Sequence, residues 1–203
     1  MTMKLFGGIL IGAGLLLGSP ITQAGGDPEA GKVKFYTCKG CHSMPGYANA
    51  YPNYHVPKIG GQYEPYVISS LKLYKEGQRK HGSMEGNAGA LTEQDMADIA
   101  AYVAKFEGKR QEGPITGDPK AGKPLTEKCA SCHGEDGNAP SPNFPRLAGQ
   151  YESYLIKAIQ DYQTGVRNNA IMQSMVKDLT EEQVKNIAAF YASQKGLAVV
   201  GQD

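Results

Sequence analysis

The sequence predicts an all-α fold made of two similar domains in tandem, and an internal repeat is the main reason. Apolar residues recur at helical spacing in both halves, and no long stretch shows the alternation expected of a strand. Repeats of this kind indicate duplicated structural units. The matching segments are 26–42 with 117–133, 61–79 with 149–167, and 91–102 with 179–190.

The first 24 residues have the features of a secretory signal. Lys4 is the one charged residue before Asp27, and the apolar run 5–17 is followed by small residues that end at Ala24. This run is short for a membrane-spanning helix, which needs about 20 apolar residues. We therefore expect export with cleavage near Ala24, so that residues 1–24 are a signal peptide. An uncleaved membrane anchor is the alternative.

The repeat divides the rest of the chain into two domains. We expect domain 1 at 25–106, a linker at 107–117 and domain 2 at 118–203, because the linker is polar and contains Gly and Pro. The full chain has a formal net charge of +1, and loss of Lys4 brings this charge to 0. Such a balance gives no indication of a nucleic-acid partner.

Each domain is expected to begin with a short helix that leads into a Cys-x-x-Cys-His motif. Asp27-Pro28 starts this helix in domain 1 and Asp118-Pro119 starts it in domain 2. Aspartate is a good N-cap and proline suits the first helical position. A second helix is expected at 64–75 and at 152–163, in each case ending near a glycine.

The remaining elements of each domain are a segment that contains methionine and a last helix. We expect the methionine segments to be loops. The last helix is expected to begin at Thr92 in domain 1 and at Thr180 in domain 2, where Gln183 completes a capping-box pattern. Its apolar residues lie on one face at helical spacing and predict packing against the first helix.

The Cys-x-x-Cys-His motifs indicate covalent attachment of c-type haem. Two thiols at this spacing can each bond one haem vinyl group, and the following histidine is then placed to bind the iron as proximal ligand. The four cysteines of the chain all fall inside these motifs. The sequence therefore predicts two haem c groups, with the following residues for attachment and proximal ligation: Cys38, Cys41 and His42, and Cys129, Cys132 and His133.

Three other uses of the cysteines are weighed against haem. A zinc site would bring Cys-x-x-Cys pairs together from separate repeats and would not require the histidines. A thioredoxin-like dithiol expects a βαβ setting, which the sequence lacks. Two disulfides would suit an exported protein, but they would leave no thiol for haem.

The sixth ligand of each iron is predicted from the repeat. Met84 and Met172 stand at the same distance before Leu91 and Leu179, so they are equivalent positions. Methionine sulfur is a common axial ligand in electron-transfer haems and raises their potential relative to histidine. The competing residues occur in one repeat only or lie too close to His42, and they are Met44, His55, His81 and Met175.

The residues CASCHGEDGNAPSPNFPRLAGQ, the paired methionines and LTEEQVKNIAAFYASQKG resemble the dihaem cytochrome c4 family. The resemblance covers nearly the whole chain after the signal segment. It implies two tandem cytochrome c-like haem domains with His/Met ligation of both irons. It also implies that the carbonyl groups of Pro57 and Pro145 accept the proximal histidine N–H, a contact that fixes the orientation of the ring.

The resemblance further implies a periplasmic protein that passes single electrons towards a terminal oxidase or similar acceptor. An iron with both axial positions filled has no open site for substrate, so we expect a carrier and not an enzyme. The expected partners are redox proteins that dock transiently, such as a small copper protein or a cytochrome, and peripheral membrane association is a further expectation. A haem subunit of a larger oxidoreductase complex and a dihaem peroxidase-like enzyme are the alternatives.

Domain 1 departs from the family pattern after its haem motif. Its loop reads SMPGYANAYPNYHVPK, which is longer than the loop of domain 2 and rich in tyrosine. We interpret Tyr47, Tyr51, Tyr54 and Tyr63 as a candidate contact surface. Tyr63 is equivalent to Tyr151, so a shared structural role, such as contact with a haem propionate, is the alternative. The equivalent pair Arg79 and Arg167 either faces haem propionates or is solvated.

Overall fold

The computed structural model describes residues 25–108 and 115–201. The predicted signal peptide and the middle of the predicted linker lie outside the described residues. Within the described ranges the chain forms ten α-helices and isolated bridge pairs, with no β-strand. The all-α prediction is confirmed. None of the helices in these ranges is long and apolar enough to cross a membrane.

Five helices in the same order form each domain. In domain 1 they are α1 (Pro28–Lys34), α2 (Tyr36–His42), α3 (Glu64–Lys75), α4 (Gly82–Gly89) and α5 (Glu93–Ala104). In domain 2 they are α6 (Pro119–Leu125), α7 (Glu127–His133), α8 (Glu152–Gln163), α9 (Ala170–Val176) and α10 (Glu181–Ala192).

Most predicted helix boundaries agree with the structure. Helices α3 and α8 have the predicted limits, and Thr92 and Thr180 cap α5 and α10 in complete capping boxes. The helix that leads into each haem motif is instead two short helices, which meet at Phe35 in domain 1 and at Thr126 in domain 2.

The prediction that the methionine segments are loops is wrong, because both are short helices. The side chain of His81 accepts a hydrogen bond from the Met84 N–H at 3.3 Å, and Asn169 accepts one from the Met172 N–H at 3.0 Å. These N-caps satisfy backbone donors that a helix of this length would otherwise leave unpaired. Each methionine is therefore held at the third helical position of its segment.

Glycines allow the first and last helices of each domain to cross closely. A Cβ atom at Gly31 would lie 1.9 Å from the carbonyl oxygen of Asp98, and one at Gly122 would lie 1.9 Å from that of Asn186. Any other residue at these two positions would collide with backbone. Helix α1 therefore packs closely on α5 in domain 1, and α6 packs closely on α10 in domain 2.

The segment after α10 returns to domain 1. Gly60 and Ala198 exchange two backbone hydrogen bonds of 2.9 and 2.8 Å, and the N–H of Val200 donates to the carbonyl of His42 at 3.3 Å. The Val200 side chain is fully buried within the core of domain 1. The end of the described chain therefore helps to fix domain 1 against domain 2.

The two domains meet through contacts that occur twice, once in each direction. The amide of Gln62 donates to the carbonyl of Arg146 at 3.0 Å and accepts from its N–H at 2.9 Å. In the same way, Gln150 donates to the carbonyl of Lys58 at 2.8 Å and accepts from its N–H at 2.9 Å. Such reciprocity is the pattern of a two-fold interface, here formed within one chain.

The side chains of Lys58 and Arg146 extend this two-fold pattern. Each donates to a glycine carbonyl of the opposite domain, at 2.7 Å for Lys58 and 2.8 Å for Arg146. Each also lies over an aromatic ring of that domain, with 4.7 Å from Lys58 Nζ to the centre of Tyr151 and 4.5 Å from the Arg146 guanidinium to that of Tyr63. Cation–π contacts of this type stabilise the interface further.

Candidate haem sites and the interface between them

The histidines of the two motifs have the same hydrogen bond. His42 Nδ1 lies 2.9 Å from the carbonyl oxygen of Pro57, and His133 Nδ1 lies 2.9 Å from that of Pro145. A carbonyl can only accept, so Nδ1 carries the proton and Nε2 presents its lone pair. Burial lowers the pKa of both histidines, despite the opposing effect of the proline carbonyls. Both imidazoles are therefore held neutral and in the tautomer that binds a metal through Nε2.

The four cysteines are all free thiols. Cys41 is exposed, and the other three are partly buried. Burial is the largest effect on the pKa of Cys38 and of Cys129 and raises both values, so these thiols stay protonated at neutral pH. Among the described residues, no three His, Cys, Asp or Glu side chains come together in a way that could hold a metal ion.

The competing axial ligands have other contacts in the structure. His81 caps the helix that carries Met84, and its ring meets that of Tyr74 edge-on. His55 Nδ1 lies 2.8 Å from the hydroxyl of Ser153, and its ring stacks on Tyr151 of domain 2. The other two competitors, Met44 and Met175, are exposed on the surface. Met84 is half-buried and packs against the core of domain 1, and Met172 is half-buried as well.

The tyrosine-rich loop of domain 1 is attached to domain 2. The N–H of Gly46 donates to the Tyr151 hydroxyl at 2.9 Å. Tyr54 is buried, and the hydroxyl of Tyr63 donates to a domain 2 carbonyl at 2.5 Å. The predicted contact surface is therefore wrong for Tyr54 and Tyr63, which serve packing and the domain interface. Tyr47 and Tyr51 are exposed, and they remain as candidates.

Arg79 and Arg167 meet across the domain interface as a crossed pair, and their backbones form an isolated antiparallel bridge. The guanidinium of Arg79 donates to the Tyr154 hydroxyl of domain 2, and that of Arg167 donates to the Tyr66 hydroxyl of domain 1, both at 2.7 Å. Each guanidinium also lies 4.6 Å from the ring centre of a tyrosine in its own domain. These rings belong to Tyr74 and Tyr162.

The crossed arginines have phenols as partners where carboxylates would be expected. The ion pairs among the described residues all use lysines and involve neither arginine. Burial raises the pKa of Tyr66, but the guanidiniums of Arg167 and Arg79 outweigh this effect and lower it to about 7. Two partly buried cations without a described carboxylate partner favour an anion at this interface.

The residues present fit a haem c group in each domain. Each motif offers two free thiols and a neutral imidazole with Nε2 available, and a thioether is held on a short helix elsewhere in the same domain. Haem also carries two carboxylates, which match the arginines at the interface. The tyrosine partners of those arginines, and the reciprocal glutamines, were missed from sequence. Their equivalent positions in the repeat were the one signal that could have found them.

Fold and donor set together define a tandem pair of cytochrome c domains. The family described as "Cytochrome c" matches residues 28–107 and 119–195. Cytochrome c4 of Pseudomonas aeruginosa is 32% identical over 200 residues, covering 92% of this chain and 96% of that protein. The solved cytochrome c4 structure of Acidithiobacillus ferrooxidans has a TM-score of 0.69 at 32% identity, covering 78% of this chain and 99% of that one.

A further relative is the thiosulfate dehydrogenase electron acceptor of Thiomonas intermedia. The match is 26% identical over 197 residues and covers 89% of this chain and 86% of that protein.

The family match and the cytochrome c4 relatives show that the chain belongs to the dihaem cytochrome c4 family. Two haem c groups are its cofactors, and it is an electron-transfer cytochrome.

Proposed function

We propose that the chain is a periplasmic carrier that takes single electrons from a redox protein and passes them towards a terminal oxidase or similar acceptor. The observation that carries this proposal is the matched pair of proximal histidines, each neutral and fixed by a proline carbonyl. Residues 1–24 would act as the export signal, as the composition of that segment indicates.

Specific residues are proposed to hold the cofactors. Cys38 and Cys41 would attach one haem, and Cys129 and Cys132 the other. When bound, each haem c supplies a one-electron couple. His42 and His133 would be the proximal ligands, oriented by Pro57 and Pro145. Met84 and Met172 would fill the remaining axial positions.

Closed axial positions favour a carrier over an enzyme. With histidine on one side and methionine on the other, these residues leave no coordination position for a substrate. What the chain then contributes is burial, ring orientation and nearby charge, each of which tunes a reduction potential. The donor and acceptor would be a small copper protein, another cytochrome or an oxidase, docking transiently over a small area.

We also propose that Arg79 and Arg167 bind carboxylates of the two haems at the domain interface. Each arginine uses few of its five donors in the described contacts, so hydrogen-bonding capacity remains. Carboxylates at this position would offset both charges and raise the pKa of Tyr66 back towards that of an ordinary phenol. The pair would then connect the electrostatic environments of the two irons.

A second candidate role is an electron-accepting subunit that works with an oxidising enzyme. A relative named as the electron acceptor of a thiosulfate dehydrogenase favours this role. The carrier chemistry within the chain would be the same, and only the donor would differ.

The ligand assignment is tested by absorbance spectra of the mature protein and three variants. We expect low-spin bands, a sulfur-to-iron absorption at the red end and no carbon monoxide binding in the wild type. Met84→Ala and Met172→Ala should each remove about half of the sulfur-to-iron absorption and let one haem bind carbon monoxide. Met175→Ala is the matched control, because this exposed residue lies three positions beyond Met172, and it should change nothing.

Two results would contradict the proposal. If neither Met84→Ala nor Met172→Ala alters the spectrum, the axial assignment is wrong. A high-spin fraction in the wild type, together with turnover of peroxide, would favour the peroxidase-like enzyme.

A further inference from the structure

Tyr191 carries a buried hydroxyl that the chain alone does not satisfy. The residue lies on α10 and is 2% exposed. Its hydroxyl oxygen has no hydrogen-bond partner among the described residues. An unpaired polar group in a protein interior is destabilising, and its presence in a native fold requires an explanation such as a cofactor contact.

The hydroxyl lies next to the first haem-attaching cysteine of domain 2. Cys129 packs against the buried cluster that contains Tyr191. Burial raises the pKa of both the Cys129 thiol and the Tyr191 hydroxyl. At Cys129 the nearby Tyr191 hydroxyl partly opposes this rise. Thr126 is the other polar group near this hydroxyl, and because it donates its own proton to the Lys123 carbonyl at 2.7 Å, it can only accept from Tyr191. Tyr191 therefore supplies the available proton at this location.

Domain 1 has apolar residues at both equivalent positions. Val103 corresponds to Tyr191, and the two carbonyls accept equivalent hydrogen bonds from Gly61 and Gly149 at 2.8 and 2.9 Å. Phe35 corresponds to Thr126. Both domain 1 side chains are fully buried. The buried residues behind Cys38 are thus apolar, and a hydroxyl that contacts its sulfur, at 3.9 Å, belongs to the exposed Thr37. The buried residues next to Cys129 instead carry hydroxyl groups.

The loop of domain 2 is shaped to fit the tyrosine ring. Gly137 has a φ of +86°, and a Cβ atom at this position would lie 2.6 Å from Cδ1 of Tyr191. The carbonyl of Gly137 also accepts the N–H groups of Leu147 and Ala148, which closes the loop over the ring. Domain 1 lacks the Gly-Glu-Asp-Gly sequence of this loop. The tyrosine and the glycine therefore form one feature that is specific to domain 2.

We propose that the Tyr191 hydroxyl donates a hydrogen bond to the Cys129 sulfur when domain 2 carries its haem, and so raises the reduction potential of that haem. This inference rests on the proposed attachment of haem through Cys129. The positive end of an O–H dipole, held in a buried site, stabilises the state that has gained an electron. Tyr191 acts through the cysteine, so it is a positioning residue that tunes the haem.

The substitution Tyr191→Phe tests this role because it removes the hydroxyl and keeps the ring. In a spectroelectrochemical titration, the equilibrium constant for reduction of the domain 2 haem should fall about threefold, which is ~30 mV at 59 mV per tenfold for one electron. The domain 1 haem should keep its potential. The reduction step whose spectrum changes in Met172→Ala is the one that belongs to the domain 2 haem.

Tyr102→Phe is the matched control. Tyr102 lies on α5 of domain 1, and the equivalent residue on α10 is Phe190, so phenylalanine is already accommodated at this position of the fold. Loss of this hydroxyl should leave both potentials unchanged.

A second variant tests the opposite direction. Site-specific 3-fluorotyrosine at position 191 makes the phenol a stronger donor without changing its shape greatly, so the domain 2 potential should rise. If Tyr191→Phe leaves that potential unchanged, or if both haems shift equally in it, the inference is overturned. A wild type without two reversible one-electron steps would instead contradict the proposed function as well, so the two failures are distinguishable.

Discussion

Where its first and last helices cross, domain 1 contains a charged group and domain 2 a neutral one. Asp98 is 2% exposed and accepts hydrogen bonds from Lys34 Nζ at 2.5 Å and from the N–H of Asp27 at 2.8 Å. In domain 2, Asn186 accepts the equivalent backbone bond at 2.9 Å, and Leu125 takes the place of the lysine.

The two domains share the contacts around the predicted haem ligands and differ in the buried residues that pack next to them. The histidine-to-proline bonds, the capped methionine helices and the crossed interface contacts all occur twice. The helix crossing is charged in domain 1 and neutral in domain 2. The buried residues next to the first cysteine of the motif are apolar in domain 1 and carry hydroxyl groups in domain 2. We infer that the shared contacts serve the proposed haem ligation and the contact between domains, while the differing residues would give the two irons different environments.

The largest difference between the domains is expected on truncation at the helix crossing. Asp98→Ala should lower the free energy of unfolding by about 3 kcal/mol, because it removes a buried acceptor with several partners, including a cation. Asn186→Ala should cost about 1 kcal/mol, since it removes one backbone contact. Denaturant unfolding, with hydrogen exchange on α1 and α6, measures the two losses separately. Equal losses would show that the charge at this crossing has no effect on stability.

The same aspartate predicts that domain 1 is the acid-sensitive half. The hydrogen bond from Lys34 is the largest effect on the pKa of Asp98 and of Asp95, and it lowers both values. A carboxyl with a depressed folded-state pKa stabilises the protein above its ordinary value, near 3.8, and loses this contribution as the pH falls through the folded-state pKa. The midpoint temperature of thermal unfolding should therefore fall more steeply with decreasing pH, below about pH 4, in the wild type than in Asp98→Asn. Parallel curves would contradict this assignment.

A smaller effect, on the reduction potentials, is expected when the crossed arginine pair that the two domains share is changed. Arg79→Gln removes one cation from the interface, so the reduced irons lose stabilisation and the potential should fall, by about threefold in the equilibrium constant for reduction. Tyr154→Phe is the control, because it breaks the hydrogen bond between the domains and keeps the charge. If Tyr154→Phe shifts the potentials as much as Arg79→Gln, packing of the domains sets the potentials and the arginine charge does not.

The elements that the sequence predicted well depend on local signals. Helix limits at α3 and α8 followed from periodicity and the glycines beyond, and Thr92 and Thr180 followed from capping chemistry. The proline contacts with His42 and His133 came from family resemblance, and both are present in the structure.

Features that depend on tertiary contacts could not be predicted from the sequence. The helical state of the methionine segments is an exception, because its N-caps are local. Asn169 is a preferred N-cap that could have predicted a helix, whereas His81 is an unusual one. The crossed bonds of Gln62 and Gln150 exist only once the two domains meet. A buried hydroxyl such as that of Tyr191 reads as ordinary core in a helical pattern. It becomes informative only when its lack of a partner is seen.

We propose that two irons, each with histidine and methionine as axial ligands, carry single electrons. A redox titration of the mature protein, followed by absorbance, is the decisive measurement. Two reversible one-electron steps are expected, each with a low-spin spectrum and a sulfur-to-iron absorption band. A single step, or a step whose haem is high-spin and binds carbon monoxide, would contradict it.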